Sequence, residues 1–241
     1  MAVAARPRVS IITVNLDRAA DLQRTLESVT AQRWDAIEQI VIDGGSSDGS
    51  KAVLEKFALR IASWVSEKDG GIYDAMNKGL ARASGEHVLF LNSGDVLQGR
   101  VLHAGMDASR LLPVQAPTFW GRPRMLKAKD VRLGMPYCHQ GILFRNDGLR
   151  PFDTSLRIAA DYEFLLANLS RAGMGPPAEH HGGCVVFDTS GISNTRVRER
   201  DVEASGIILR RFGRLHWFRF WLRQGPKLIV RRLVARRAAA G

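Results

Sequence analysis

Two patterns of apolar positions alternate along the first hundred residues of the chain. Short apolar runs at 9–14, 37–42, 61–65 and 87–91 predict four buried strands. Between these runs apolar residues recur at helical spacing, as Leu22, Leu26 and Val29 do, which predicts amphipathic helices. Strands that alternate with helices indicate an α/β fold built on a mostly parallel, doubly wound sheet.

Polar residues follow each of the four predicted strands. They are Asn15, Asp43, Lys68 with Asp69, and Asn92 with Asp95. Because the carboxyl ends of parallel strands lie at one edge of a sheet, we expect these side chains to meet in a single cleft, where ligands of open α/β sheets bind.

Beyond Asp95 the pattern is less regular. We expect a short helix at 99–106, a strand at 142–144, a helix from Ala159 to about Ala172 and a last strand at 184–187. The stretch 111–136, rich in Pro, Arg and Lys, predicts no particular element.

Composition adds an uneven distribution of charge. The 241 residues are 45% hydrophobic and 24% charged, as in a soluble globular protein, yet the net charge is +11. Residues 206–241 hold ten Lys or Arg and no Asp or Glu. Cys138 and Cys184 form no CxxC pair, and the first residues lack the apolar core of a signal peptide, so we expect a cytoplasmic protein with reduced thiols.

The basic segment 206–241 interleaves arginines with large apolar side chains such as Trp217, Phe218 and Trp221. That mixture is typical of a helix lying in a membrane interface, attracted by anionic lipid. We therefore expect a domain at 1–205 and a membrane-associating tail at 206–241. Packing of the tail on the domain is the less favoured alternative, and binding of nucleic acid is not expected.

Neither familiar phosphate-binding fingerprint is present: no GxGxxG follows the first strand, and GxxxxGK[ST] does not occur. An Asp after the second strand can hold a base or ribose, and Asp95 can bind a hard divalent cation through oxygen. Each candidate also has a plainer interpretation. Asp43 suits a turn, Asp161 a helix N-terminus, and His180 with His181 either a metal site or a solvated loop.

The order of several short motifs is more specific than any one of them. The chain contains SIITVN, VIDGGSSDGS, SEKDGGIYDAMNKGL, FLNSGD, CHQG and ADYEF. Over roughly residues 8–195 this series resembles the family-2 inverting glycosyltransferases, especially bacterial members of the colanic-acid (exopolysaccharide) type and the mycobacterial phenolic-glycolipid type. The resemblance implies a GT-A fold, which has a Rossmann-like central sheet flanked by helices, here followed by a basic amphipathic C-terminal helical tail. A nucleotide-sugar half at about 8–98 would precede an acceptor half at about 99–195.

The same resemblance implies roles for individual residues. Asn15 and Asp43 would contact the nucleoside, and Lys68, Asp69, Gly70 and Asn77 would line the donor pocket. The FLNSGD segment corresponds to the family's acidic DxD-type turn, with Asn92 and Gly94 where two acidic residues are usual. Asn92 and Ser93 would then lie at the donor, and Asp95 would bind Mg²⁺ or Mn²⁺.

On the acceptor side the resemblance implies that Asp161 is the general base and that His139 contacts the acceptor or the donor phosphate. Inversion needs one base opposite the leaving diphosphate. Glu163 lies two residues later in the same helix, so we expect it to point away from Asp161.

The implied function is transfer of a sugar from a UDP-, GDP- or dTDP-sugar to a lipid-linked or saccharide acceptor of the cell envelope. The protein would lie peripherally on the inner face of the cytoplasmic membrane. Two alternatives remain. A sugar nucleotidyltransferase would carry a glycine- and arginine-rich loop where this chain has Asn15-Leu16-Asp17-Arg18, and a non-catalytic nucleotide-binding membrane adaptor would fit the depleted acidic turn.

Overall fold

The computed structural model describes residues 9–32, 34–103, 106–117, 123–125, 129–175 and 183–238. Its strands are β1 (Val9–Asn15), β2 (Ile37–Asp43), β3 (Ser63–Ser66), β4 (His87–Phe90), β5 (Val96–Gly99), β6 (Val114–Pro117), β7 (Pro123–Met125), β8 (Phe144–Arg145) and β9 (Gly183–Val186). Its helices are α1 (Ala19–Thr30), α2 (Ser50–Phe57), α3 (Ile72–Leu80), α4 (Ala160–Ala167), α5 (Ile192–Thr195) and α6 (Val197–Ala238).

The central sheet has the order β3-β2-β1-β4-β8. The first four of these strands are parallel, and β8 runs antiparallel to β4. All seven residues of β1 are buried because helices cover both faces of the sheet. This arrangement confirms the α/β fold and the four strands predicted from the apolar runs.

Alternate residues of β2 point into two different hydrophobic clusters. Val41 packs with Leu22 and Leu54 of α1 and α2, whereas Ile40 and Ile42 belong to the larger core on the other face. Helix α3 lies close on that second face. A Cβ atom at Gly79 would fall 2.4 Å from Cγ2 of Ile12, so glycine is required for this approach.

A second sheet, with the order β5-β9-β6-β7, was not predicted. The helix expected at 99–106 is wrong, because the described residues there are not helical and Val96–Gly99 forms β5. The buried amide of Gln32 explains the extended conformation. It donates to the carbonyl of Gly99 over 3.0 Å and accepts from the amides of Val101 and Leu102 over 3.0 and 3.1 Å.

The predicted strand at 142–144 is displaced to Phe144–Arg145, and α4 ends at Ala167, earlier than expected. Phenylalanine rings join α4 to the central sheet. The rings of Phe152 and Phe164 stack with centroids 4.0 Å apart, and Phe90 meets Phe164 edge-on at 5.5 Å. These contacts fix α4 beside the carboxyl end of β4.

Helix α6 is interrupted at Gly213, where φ is 80° and ψ is −179°, a conformation that favours glycine. Ile207, Ile208 and Phe220 are buried in a cluster with Ala159 and Tyr162 of the α4 region. The domain boundary expected between residues 205 and 206 therefore falls inside a helix, and the beginning of the predicted tail packs on the domain. Side chains beyond Gln224 lie outside the described part of this helix.

The described ranges contain no helix with both the length and the apolar character required to cross a lipid bilayer.

Candidate active site

A cleft of about 1050 Å³ opens at the carboxyl ends of β1 and β4. Seven of the residues predicted from the sequence line it: Asn15, Asp69, Asn92, Ser93, Asp95, His139 and Asp161. The other four, Asp43, Lys68, Gly70 and Asn77, do not line it. The structure thus brings together polar groups from five separate segments of the chain.

Asp43 is fully buried beneath the cleft. Its carboxylate accepts hydrogen bonds from Nδ2 of Asn15 over 2.7 Å, from Oγ of Ser66 over 2.7 Å and from the amide of Ser46 over 3.0 Å. Burial alone would raise the pKa of Asp43, but these hydrogen bonds together hold it below its usual value. In this structure Asp43 orients Asn15, and Asn15 is the residue that reaches the cleft.

Asn77 has a similar supporting role. Its amide donates to the carbonyl of Phe152 over 3.0 Å and accepts from the amide of Phe152 over 2.8 Å, so both ends are engaged within the protein. Lys68 is exposed, and the amide of Gly70 donates to Oδ2 of Asp74 over 2.9 Å. Of the three residues predicted in this loop, Lys68, Asp69 and Gly70, it is Asp69 that lines the cleft.

The turn after β4 carries Asn92, Ser93, Gly94 and Asp95. Asp95 is only 2% exposed, and burial raises its pKa to about 6 despite the groups that bind its carboxylate. Oδ2 accepts from Nε2 of Gln140 over 2.9 Å, and Oδ1 accepts from the amide of Asp188 over 2.8 Å. Asp95 therefore joins the turn to two segments that are distant in sequence.

Asp188 and Arg18 also line the cleft and were not predicted. Nη2 of Arg18 donates to Oδ2 of Asp188 over 2.6 Å. A Cβ atom at Gly94 would lie 2.7 Å from that same Oδ2, so the Asp188 carboxylate lies directly over the turn. Asp188 follows β9, and the rule that polar residues after strands reach the cleft could have identified it.

Four buried polar atoms in the cleft have no hydrogen-bond partner among the described residues. They are Oδ1 of Asn15, Oδ1 of Asn92, Oγ of Ser93 and Nε2 of His139. An unsatisfied buried group costs about 1–3 kcal/mol. Five other described side chains also have a buried polar atom without a partner, but they do not line the cleft. The four atoms in the cleft point to a polar ligand because they lie together in one place.

Asp161 is the second residue of α4 and faces His139 across the cleft floor. Oδ2 of Asp161 is 3.5 Å from Nδ1 of His139, whose ring meets that of Phe90 edge-on. Glu163 is instead bound by Arg211 and does not line the cleft, as expected from its place in the helix. Asp161 is thus the acid of α4 that is available to a ligand.

Helix α6 supplies a wall of the cleft that the sequence did not reveal. Arg200, Asp201, Ala204, Phe220 and Arg223 all line it. The cleft therefore has a polar end at the strand termini and a wall of mixed apolar and charged character at α6.

The oxygen atoms near this turn supply part of the ligand set of a hard divalent cation. Asp95, Asn92, Ser93 and Asp188 offer carboxylate, amide and hydroxyl oxygens. Across the part of the chain that is described, no three His, Cys, Asp or Glu side chains are grouped to hold a metal. The candidates His180 and His181 lie outside the described residues. Such a partial set suits a cation that takes its other ligands from a substrate diphosphate.

Comparisons with known proteins agree with this geometry. The model of the family "Glycosyl transferase family 2" matches residues 10–108. The chain is 36% identical over 230 residues to an uncharacterized glycosyltransferase of Mycobacterium tuberculosis, covering 87% of this chain and 84% of that protein. It is 28% identical over an alignment of 256 residues to a PGL/p-HBAD biosynthesis glycosyltransferase of Mycobacterium bovis, covering 96% of each.

Two solved structures share the fold. Residues 1–349 of S. aureus TarS, in complex with UDP-GlcNAc, align with a TM-score of 0.64 and 17% identity, covering 83% of this chain and 65% of that one. The mannosyltransferase PcManGT of Pyrobaculum calidifontis, with GDP-Man and Mn²⁺, aligns with a TM-score of 0.60 and 19% identity, covering 99% of this chain and 77% of that one. This likeness confirms the GT-A fold.

Proposed function

This chain belongs to glycosyl transferase family 2, and from that premise we propose that it transfers one sugar, with inversion, from a nucleotide-diphosphate-sugar to an acceptor of the cell envelope. Membership of the family confirms the predicted enzyme class, a glycosyltransferase, over a sugar nucleotidyltransferase. The donor, the cation, the acceptor and the roles of single residues are our proposals.

The observation that carries the proposal is the set of four partnerless polar atoms in the cleft. A nucleotide-sugar offers hydroxyl, ring and phosphate groups that can satisfy all of them. Asn15 would contact the nucleoside, and Asn92, Ser93 and Asp69 the ribose or sugar. The two structural neighbours hold different nucleotides, UDP-GlcNAc and GDP-Man, so we propose a nucleotide-sugar donor without choosing its base.

Asp161 would act as the general base. It accepts the proton of the acceptor hydroxyl while that oxygen bonds to the anomeric carbon, and the bond from that carbon to the diphosphate breaks on the opposite face. A single displacement inverts the configuration and needs one carboxylate. Glu163, the other acid of α4, is engaged by Arg211 outside the cleft, which leaves Asp161 as the acid of this helix that can take the proton.

A divalent cation, Mg²⁺ or Mn²⁺, would be held by Asp95 with oxygens of the same turn. When bound it would neutralise charge on the departing diphosphate. Mn²⁺ in the structure of the mannosyltransferase neighbour supports this choice of ion.

Helix α6 supports an acceptor linked to lipid. Phe220 and Arg223 line the cleft, while Leu215, Phe218 and Leu222 are 60%, 56% and 61% exposed. Arg210, Arg214 and Arg219 are exposed along the same helix. Apolar side chains interleaved with arginine suit the headgroup region of an anionic membrane. The protein would then lie on the inner membrane face with the cleft beside the lipid, as a glycolipid acceptor requires.

Replacing Asp161 by Asn should slow transfer by about 10²–10⁴-fold, because that is the usual contribution of a general base. Affinity for the nucleotide, measured by calorimetry, should stay within about twofold of wild type because the substitution leaves the donor contacts intact. Glu163→Gln, the same charge change in the same helix, is the matched control and should remain active. Equal loss of transfer and of nucleotide affinity in Asp161→Asn would remove Asp161 from the role of base.

Replacing Asp95 by Asn should abolish the gain in nucleotide affinity that Mn²⁺ gives. The expected measurement is calorimetric titration of UDP, GDP and dTDP in Mn²⁺ and in EDTA, with a wild-type gain of about tenfold, or 1.4 kcal/mol. Asp147→Asn is the control, since that carboxylate pairs with Arg145 and Arg171 away from the cleft. An undiminished gain in a folded Asp95→Asn protein would refute the cation assignment.

The double substitution Leu215→Glu with Phe218→Glu should release the protein from vesicles containing phosphatidylglycerol in a co-sedimentation assay. Burial of such side chains contributes about 1.5–3 kcal/mol each, and the new acids add repulsion. Leu59→Glu with Leu169→Glu makes the same change at exposed leucines elsewhere and should leave binding intact. If both proteins sediment equally with the vesicles, this face of α6 is not the membrane contact.

A further inference from the structure

Helix α4, which carries Asp161, begins without a cap of its own. The residue at its N-cap is Ala159, which has no side-chain acceptor. Helices usually begin with Ser, Thr, Asp or Asn at this position because the first amide groups of a helix have no partner within it. No side chain at the N-cap position therefore fixes the start of α4.

Glu203 of α6 instead binds the backbone immediately before the helix. Its Oε1 accepts from the amide of Arg157 over 2.9 Å, and its Oε2 accepts from the amides of Ile158 and Ala159, each over 2.9 Å. Three consecutive amides thus converge on one carboxylate that is 44 to 46 positions away in sequence. Hydrogen bonds to an ionised acceptor are roughly twice as strong as neutral ones.

Tyr73 of α3 holds the same turn from the other side. Its hydroxyl donates to the carbonyl of Ile158 over 2.6 Å, and burial raises the pKa of this hydroxyl far above its usual value, so it remains a donor. The backbone of Ile158 is therefore fixed at its amide by α6 and at its carbonyl by α3. Asp161 follows three residues later.

Glu203 does not line the cleft, whereas Ile158, Ala159 and Asp161 do. The turn that Glu203 holds is therefore a route by which this residue can act on a bound substrate without touching it. A general base has to lie within hydrogen-bond reach of the acceptor hydroxyl, and a displacement of about 1 Å can cost 10²-fold in rate.

We propose that Glu203 is a positioning residue for the transfer reaction, holding the turn that places Asp161 against the acceptor. The inference rests on the proposed role of Asp161 as base. It makes α6 part of the catalytic apparatus as well as a wall of the cleft.

The test is a kinetic comparison of Glu203→Gln and Glu203→Ala with wild type, at a temperature well below the melting point of each variant. Gln keeps one acceptor oxygen of similar reach, and Ala keeps none. We expect kcat to fall about 10- to 100-fold in Glu203→Ala, less in Glu203→Gln, with the KM for the donor within about twofold. If Glu203→Ala does not fold, Glu203→Gln carries the test.

A control variant separates positioning from general loosening of α4 on α6. Glu163→Gln weakens another polar contact between these helices, the one with Arg211, by removing its charge, and should keep the wild-type kcat. An equal fall in kcat in Glu163→Gln, or a rise in donor KM that matches the fall in kcat, would overturn the positioning role.

The same kinetic measurement on Asp161→Asn distinguishes failure of the positioning role from failure of the proposed function. If Asp161→Asn is inactive and the Glu203 variants keep the wild-type kcat, the positioning role is wrong and the proposed function stands. If Asp161→Asn is as active as wild type, the base assignment fails and the role of Glu203 fails with it.

Discussion

The buried carboxylate of Asp95 is the interaction on which the site depends. It accepts from Gln140 and from the amide of Asp188, and the carbonyl of Asp95 accepts from the hydroxyl of Thr25 over 2.8 Å. One residue thereby joins the end of β4 to α1, to the segment that carries His139 and to the end of β9. An ionised group costs free energy to bury unless hydrogen bonds compensate it, and here those bonds also set the distance between the cleft walls. The same carboxylate is the proposed ligand of the cation, so the fold and the chemistry share one group.

Two other features show how stability and function are divided in this chain. The polar atoms of Asn15, Asn92 and Ser93 that lack a partner reduce the stability of the empty protein and favour a ligand that completes them. Helix α6 buries Ile207 and Phe220 on the domain, leaves a face of leucine, phenylalanine and arginine exposed, and holds the entry to α4 through Glu203. In the proposed function, a single helix therefore connects the lipid surface, the wall of the cleft and the general base.

The sequence predicted features that local patterns determine. The runs of apolar residues located β1 to β4. The expectation that polar residues after parallel strands meet at one edge of the sheet correctly placed Asn15, Asp69, Asn92 and Asp95 in one cleft. The sequence did not reveal contacts that depend on pairing between distant segments of the chain. The register of β5 with β9 joins Gln98 to Cys184, and such short strands carry no local signal of that contact. Asp43 and Asn77 turn inward because Ser46, Ser66 and Phe152 offer them hydrogen bonds there. Glu203 has no motif, since its partners are backbone amides of a distant turn.

The central claim is that the partnerless atoms of the cleft serve a nucleotide-sugar. Its most direct test uses the double variant Asn92→Ala with Ser93→Ala. Chemical denaturation measures the stability of this variant, and calorimetric titration with UDP-, GDP- and dTDP-sugars measures its donor affinity. The account predicts a free energy of unfolding no lower than that of wild type, since each unsatisfied group removed costs about 1–3 kcal/mol, and a loss of donor affinity of at least about tenfold. Thr25→Val, which removes a hydroxyl that is bonded within the protein, should instead lose about 1–3 kcal/mol of stability. A double variant that loses stability and keeps its donor affinity would contradict the account.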